Sequence, residues 1–188
     1  MTQFTISGMS IATKTGDLGM TNLMFNRRVS KCHPRVEVCG SADELNSALG
    51  FARALAREGI LKEQLEKVQA DLIGLMGELA TLPEDWQQYQ KAGYASVSQV
   101  HVNKLDLWIA DLESEGNTFR GWATPGTNPV SGALDVARAI CRRVERQACV
   151  LLESGQLPNL LVITYLNRLS DVLWLMARRS EKEANHSA

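Results

Sequence analysis

The sequence predicts an all-α protein, a five-helix bundle with a loop-rich N-terminal arm. From residue 41 onward, apolar side chains recur at helical spacing almost to the end of the chain. No strand-like alternation competes with them there. Residues 1–40 lack sustained periodicity and hold Gly8, Gly16, Gly19, Pro34 and Gly40, residue types that punctuate turns. A chain of 188 residues fits one domain with a real core. Its expected parts are an arm over 1–40, a bundle over 41–180 and a polar tail over 181–188.

The arm should be extended, with at most a short strand pair. The first helix is expected to start at Ser41-Ala42-Asp43-Glu44, where Ser41 and Glu44 read as a capping box. Leu45, Ala48, Leu49 and Ala52 give it an apolar face to about Glu58, and Gly59 should stop it. Leu61, Leu65, Val68, Leu72, Leu75 and Leu79 form a second seam. Pro83 and Gly93 bound a polar loop. Ser96 to Gln99 offers another capping box, before a helix through Leu105, Trp108 and Leu112 to Gly116-Asn117. A loop with Gly121, Pro125, Gly126 and Pro129 follows. Leu134, Ala137, Cys141, Val144, Ala148 and Leu151 mark the next helix, stopped by Gly155. Val162, Leu166, Leu169, Leu173 and Met176 mark the last, after which the tail should fray.

Composition narrows the function classes. A net charge of −1 argues against bulk binding to nucleic acid or to an anionic membrane surface. No apolar run approaches a membrane span, and the N-terminus does not read as a secretory signal, so a cytoplasmic protein is expected. Cys32, Cys39, Cys141 and Cys149 form no C-x-x-C pair and read as buried free thiols. His33, His101 and His186 lack ligand spacing on a shared helix, so no protein-built metal site is expected.

Two distant segments are polar where a plain bundle needs no polarity. In Thr13-Lys14-Thr15-Gly16-Asp17-Leu18-Gly19-Met20-Thr21-Asn22, glycines permit close backbone approach, and Lys14 and three threonines supply donors. That suits a triphosphate, although a glycine-bearing surface turn has the same composition. It is not a Walker A loop. In Arg138 to Arg146, positions 138, 142, 145 and 146 share one helical stripe. Arginine suits multidentate phosphate recognition, and Glu145 can orient a guanidinium. A solvated basic face remains the alternative. Asn167, Ser170, Asp171 and Trp174 give the last helix a polar stripe, which either faces a ligand or subunit or is simply exposed. Asp43 reads as a dipole-favoured acid at a helix start, or as the partner of a stripe arginine.

These residues resemble the PduO-type ATP:cob(I)alamin adenosyltransferase family, from about Ile11 to Arg178. The N-terminal loop is similar to the family's ATP loop and continues through Ser30-Lys31-x-x-Pro34-Arg35-Val36 to Gly40-x-x-Asp43-Glu44-Leu45-Asn46-Ser47. Arg138 to Arg146 resembles its A-R-x-x-x-R-R-x-E-R helix, and Tyr165-Leu166-Asn167-Arg168-Leu169-Ser170-Asp171 its last signature.

The resemblance implies a homotrimer with ATP at the subunit interfaces. The implied ATP contacts are Thr13, Lys14, Thr15, Gly16, Thr21, Asn22, Lys31, Arg142, Arg143, Glu145, Arg146 and Asn167. Asp43 and Arg138 would pair to support the interface and the cobalamin side. Mg²⁺ would accompany the triphosphate. The implied reaction moves the 5′-deoxyadenosyl group of ATP to the cobalt of cob(I)alamin and releases triphosphate. Arg142 carries the catalytic weight with Asp43 and Arg138, while Lys31 and Arg146 share the phosphate charge. A flavin reductase and a cobalamin-dependent acceptor enzyme are the implied partners. A helical-bundle sensor that binds ATP or a corrinoid without turnover is the alternative from another class. One stretch departs from the family: Trp122-Ala123-Thr124-Pro125-Gly126-Thr127 stands where an aromatic, often Phe, precedes Pro-Gly-Gly. Trp122 is therefore expected to wall the lower face of the corrin.

Overall fold

The computed structural model describes Ala12, residues 14–115 and residues 122–186. Residues 1–11, Thr13, Gly116, Asn117 and Gly121 lie outside the described residues. Two strands, β1 (Met20–Asn22) and β2 (Arg28–Ser30), pair antiparallel with Met20 opposite Ser30. The helices are α1 (Pro34–Leu55), α2 (Ile60–Leu79), α3 (Trp86–Lys91), α4 (Gln99–Ser114), α5 (Pro129–Glu153) and α6 (Leu161–His186). The described residues thus hold six helices where five were expected, α3 being a six-residue addition.

Several expected boundaries are corrected. Helix α1 begins at Pro34, not Ser41, because proline suits the first helical turn and His33 Nδ1 caps it by accepting from the Arg35 amide at 3.1 Å. Ser41 is therefore buried in mid-helix, and Glu44 pairs with Arg143 instead of closing a capping box. Asp43 is ten residues into α1, too far from its N-terminus for the dipole role. The arm thus ends near residue 33. Helix α1 stops at Leu55, and Gly59 is the N-cap of α2, with a φ of +138° that favours glycine. The loop after Pro83 holds a 3₁₀ turn and α3. The capping box before α4 is made by Ser98 and His101, not by Ser96 and Gln99. The tail does not fray at 181, since α6 runs on through His186.

The core is a continuous apolar cluster along α1, α2, α4, α5 and α6, with Leu45, Leu72, Leu105, Val144 and Leu169 among its fully buried members. Helices α1 and α5 run antiparallel: Glu44 meets Arg143, and Gln147 Nε2 donates to Glu37 Oε1 at 3.3 Å. Arg35 is completely buried at the start of α1. Its Nη1 donates to the Leu79 carbonyl at 2.8 Å and its Nη2 to the Gln156 carbonyl. The start of α1 is thereby fixed to the C-terminal ends of α2 and α5. The hairpin docks at this same end, through Met24 N–H to the Ala80 carbonyl and a two-pronged Arg27–Asp85 ion pair.

Cys141 and half-buried Cys39 and Cys149 are free thiols, but Cys32 is exposed, because it sits in the turn between β2 and α1. Burial pushes the Cys39 thiol up to about 11 and Cys141 further, so neither is a ready nucleophile. Among the described residues no helix is long and apolar enough to cross a membrane.

Candidate nucleotide and corrinoid site

The N-terminal part of the site is a turn held over a hairpin. Thr15 to Leu18 form the turn, and Gly19, at φ +75°, leads into β1. The Lys31 amide donates to the Gly19 carbonyl at 2.8 Å, which brings Lys31 beside the turn. A Cβ on Gly16 would stand 3.0 Å from Lys31 Nζ, so glycine leaves the ammonium room to lie across it. Arg28, absent from the expected set, staples the loop. Its Nη2 donates to the Thr15 carbonyl at 2.5 Å and its Nη1 to Asn22 Oδ1 at 3.4 Å. Lys14 is exposed in a left-handed conformation, and Thr21 is half-buried in β1. Thr13 lies outside the described residues. Lys14, Thr15, Gly16, Asn22 and Lys31 thus cluster on one structural unit.

The second part lies on α5 and α6. Cys141 and Val144 face the core, so Arg142 and Arg146 project from the other side of α5. Neither makes an ion pair or hydrogen bond among the described residues. Glu145 Oε1 accepts from Asn167 Nδ2 at 3.0 Å, and Asn167 Oδ1 accepts from Arg168 Nη1 at 3.2 Å. Arg168 in turn bonds Asp106 of α4 at 2.8 Å. Arg143 is committed to Glu44. Desolvation pushes the Asp171 carboxyl up, with Arg168 and Arg142 acting against it. Ser170 does not belong to the exposed stripe: it is buried, with Oγ bonded to the Asn167 carbonyl. Trp174 is half-buried, with the Arg178 guanidinium over its ring.

The expected Asp43–Arg138 pair is not made within this chain. Arg138 Nε donates to Asp135, one turn earlier on the same helix, at 3.2 Å, and Asp43 is exposed, without an ion pair among the described residues. Trp122 is 92% exposed in the segment leading to α5.

The two parts are separated along the bundle. Arg35 ties the hairpin end to Gln156, just past the end of α5, whereas Arg142 lies eleven residues before Glu153, the last residue of α5, roughly 16 Å along the helix at 1.5 Å per residue. Each part therefore offers cationic groups and donors with an open side. Among the described residues no group of three or more His, Cys, Asp or Glu is arranged to hold a metal ion.

Fold and site together define a mostly helical protein with two separated surfaces that carry cationic groups. The sequence profile for cobalamin adenosyltransferase matches residues 11–180. Corrinoid adenosyltransferase of Mycobacterium leprae is 34% identical over 170 residues, 89% of either chain. Corrinoid adenosyltransferase PduO of Citrobacter freundii is 34% identical across 95% of this chain, which spans 52% of that longer relative. A phenylalanine-to-alanine variant PduO-type ATP:corrinoid adenosyltransferase from Lactobacillus reuteri, complexed with cobalamin and ATP, superposes with a TM-score of 0.84 at 31% identity, covering 94% of this chain and 96% of that one. The chain belongs to the cobalamin adenosyltransferase family.

Proposed function

We propose that the protein transfers the 5′-deoxyadenosyl group of ATP to the cobalt of cob(I)alamin, giving adenosylcobalamin and inorganic triphosphate. The observation that carries this reading is the pair of arginines Arg142 and Arg146, both without an ion pair among the described residues, beside the Glu145–Asn167 latch, in a chain whose family membership extends over 11–180. In the reaction a cobalt–carbon bond forms from the electron pair of cob(I), the ribose C5′–oxygen bond breaks, and the pair goes to the departing triphosphate. The reaction needs no nucleophile and no general base from the protein, because cob(I) itself attacks. Its residues orient the two substrates and stabilise charge. Lys31, Arg142 and Arg146 face the phosphates, Lys14, Thr15, Gly16 and Asn22 line their path, and Arg138 stands on the corrinoid side. Mg²⁺ accompanies the triphosphate of the nucleotide.

The site is completed between copies. The hairpin of one chain and the α5 stripe of the next meet in a cyclic homotrimer, and Asp43 of one copy reaches the free end of Arg138 in another. Separation of the two cationic surfaces within one chain supports this arrangement. Trp122, exposed in the single chain, covers the lower corrin face and keeps water from the cobalt. An anaerobic assay with ATP and chemically reduced cobalamin tests the activity: adenosylcobalamin and triphosphate should appear in equal amounts. ATP binding without either product would mark a sensor instead.

A further inference from the structure

Arg138 enters the proposed site already held. Asp135, on α5 and 5% exposed, uses its two carboxylate oxygens on two different arginines. Oδ1 accepts from Arg138 Nε at 3.2 Å, and Oδ2 accepts from Arg178 Nη2 at 2.5 Å. Arg178, on α6, is 1% exposed and cannot swing. The same Nη2 meets Glu181 Oε1 at 3.0 Å, and the guanidinium lies 5.8 Å from the Trp174 ring centroid. An i,i+3 ion pair on an exposed helix face is ordinarily weak, because both side chains must give up rotamer freedom to form it. Here the acid has already given it up to Arg178. Arg138 therefore closes onto a fixed acceptor. Its Nε is engaged, while its two terminal nitrogens make no hydrogen bond among the described residues.

We propose that Asp135 is a positioning residue for Arg138: clamped from behind by Arg178, it aims the free end of the Arg138 guanidinium at the corrinoid side of the site. The proposal rests on the placement of Arg138 given above. Charge supports it. Arg138 and Arg178 are balanced by Asp135 and Glu181, so the set is neutral and can be buried at one end while presenting a cation at the other. Loss of Asp135 frees Arg138 to sample other rotamers and leaves Arg178 with Glu181 alone.

Steady-state kinetics with ATP and reduced cobalamin separate positioning from mere stability. Asp135→Ala should raise KM for the corrinoid about tenfold while KM for ATP stays within about twofold. In an Arg138→Ala background the same substitution should add less than about twofold, because the residue it acts through is gone. Equal effects in both backgrounds, or parallel rises in both KM values, would overturn the proposal. If Arg138→Ala alone leaves turnover and both KM values intact, the placement of Arg138 fails and the proposal falls with it. If Arg138→Ala is harmful and Asp135→Ala silent, only the proposal falls. Should Asp135→Ala not fold, Asp135→Asn keeps the shape and loses the charge; a corrinoid KM raised about threefold supports the clamp, and an unchanged KM overturns it.

Discussion

Asn167 Nδ2 donates to Glu145 Oε1 at 3.0 Å, and this bond latches α6 to α5 one turn from Arg142. Through Arg168 and Asp106 the latch continues to α4. Glu145 is therefore occupied by Asn167, and Arg142 makes no ion pair among the described residues.

Arg142→Ala should cost about 2–4 kcal/mol of transition-state stabilisation, the range for one preorganised charge donor, or roughly 30- to 1,000-fold in kcat. Alanine is the best helix former, so α5 should persist. Rate measurements beside circular dichroism check both parts; normal turnover would remove Arg142 from the site.

Trp122→Ala should leave ATP affinity nearly unchanged, because the phosphate contacts proposed above are other residues. Electron paramagnetic resonance should then show less four-coordinate cob(II)alamin, and turnover should fall with it. Trp122→Phe should keep much of both, since an aromatic ring still covers the face. An unaltered spectrum in Trp122→Ala would mean that the indole points elsewhere.

Arg35→Met should destabilise the fold by about 2–4 kcal/mol, because the Leu79 and Gln156 carbonyls lose their charged donor. Denaturant titration measures the loss. A change within about 0.5 kcal/mol would show that the arm is anchored by other contacts.

The Arg27–Asp85 pair sets an acid-side dependence. Hydrogen bonding from Arg27 holds the Asp85 carboxyl below its ordinary 3.8. The unfolded chain therefore takes up this proton first as pH falls. The stabilisation is whole above pH 3.8 and is lost as pH drops through the lower folded value. Asp85→Asn should be less stable than the parent at about pH 7, with a gap that closes in strong acid. Denaturation followed across pH checks this, and a gap that stays constant would contradict it.

Much of this was legible in the sequence. The seams of α2, α5 and α6 follow the leucine and alanine spacing, and the exposed Arg142 and Arg146 follow from the burial of Cys141 and Val144 on the opposite side of α5. The start of α1 was not legible, because Pro34 and Gly40 read as turn residues; the proline is in fact at the helix start, and the buried Arg35 holds the first turn in place. Arg28 and Asp135 were also missed. Their partners, Thr15 and Arg178, lie 13 and 43 residues away, beyond any local periodicity.

Complementation between two inactive chains tests the shared site most directly. Lys31→Ala removes the ammonium from the loop surface, and Arg142→Ala removes the guanidinium from the helix surface. Each variant alone should be nearly inactive. Co-expressed in equal amounts, they should recover about a quarter of the parent rate, because each interface in a cyclic trimer draws its loop and its stripe from different copies. A mixture no more active than its two components would contradict a site built from two chains.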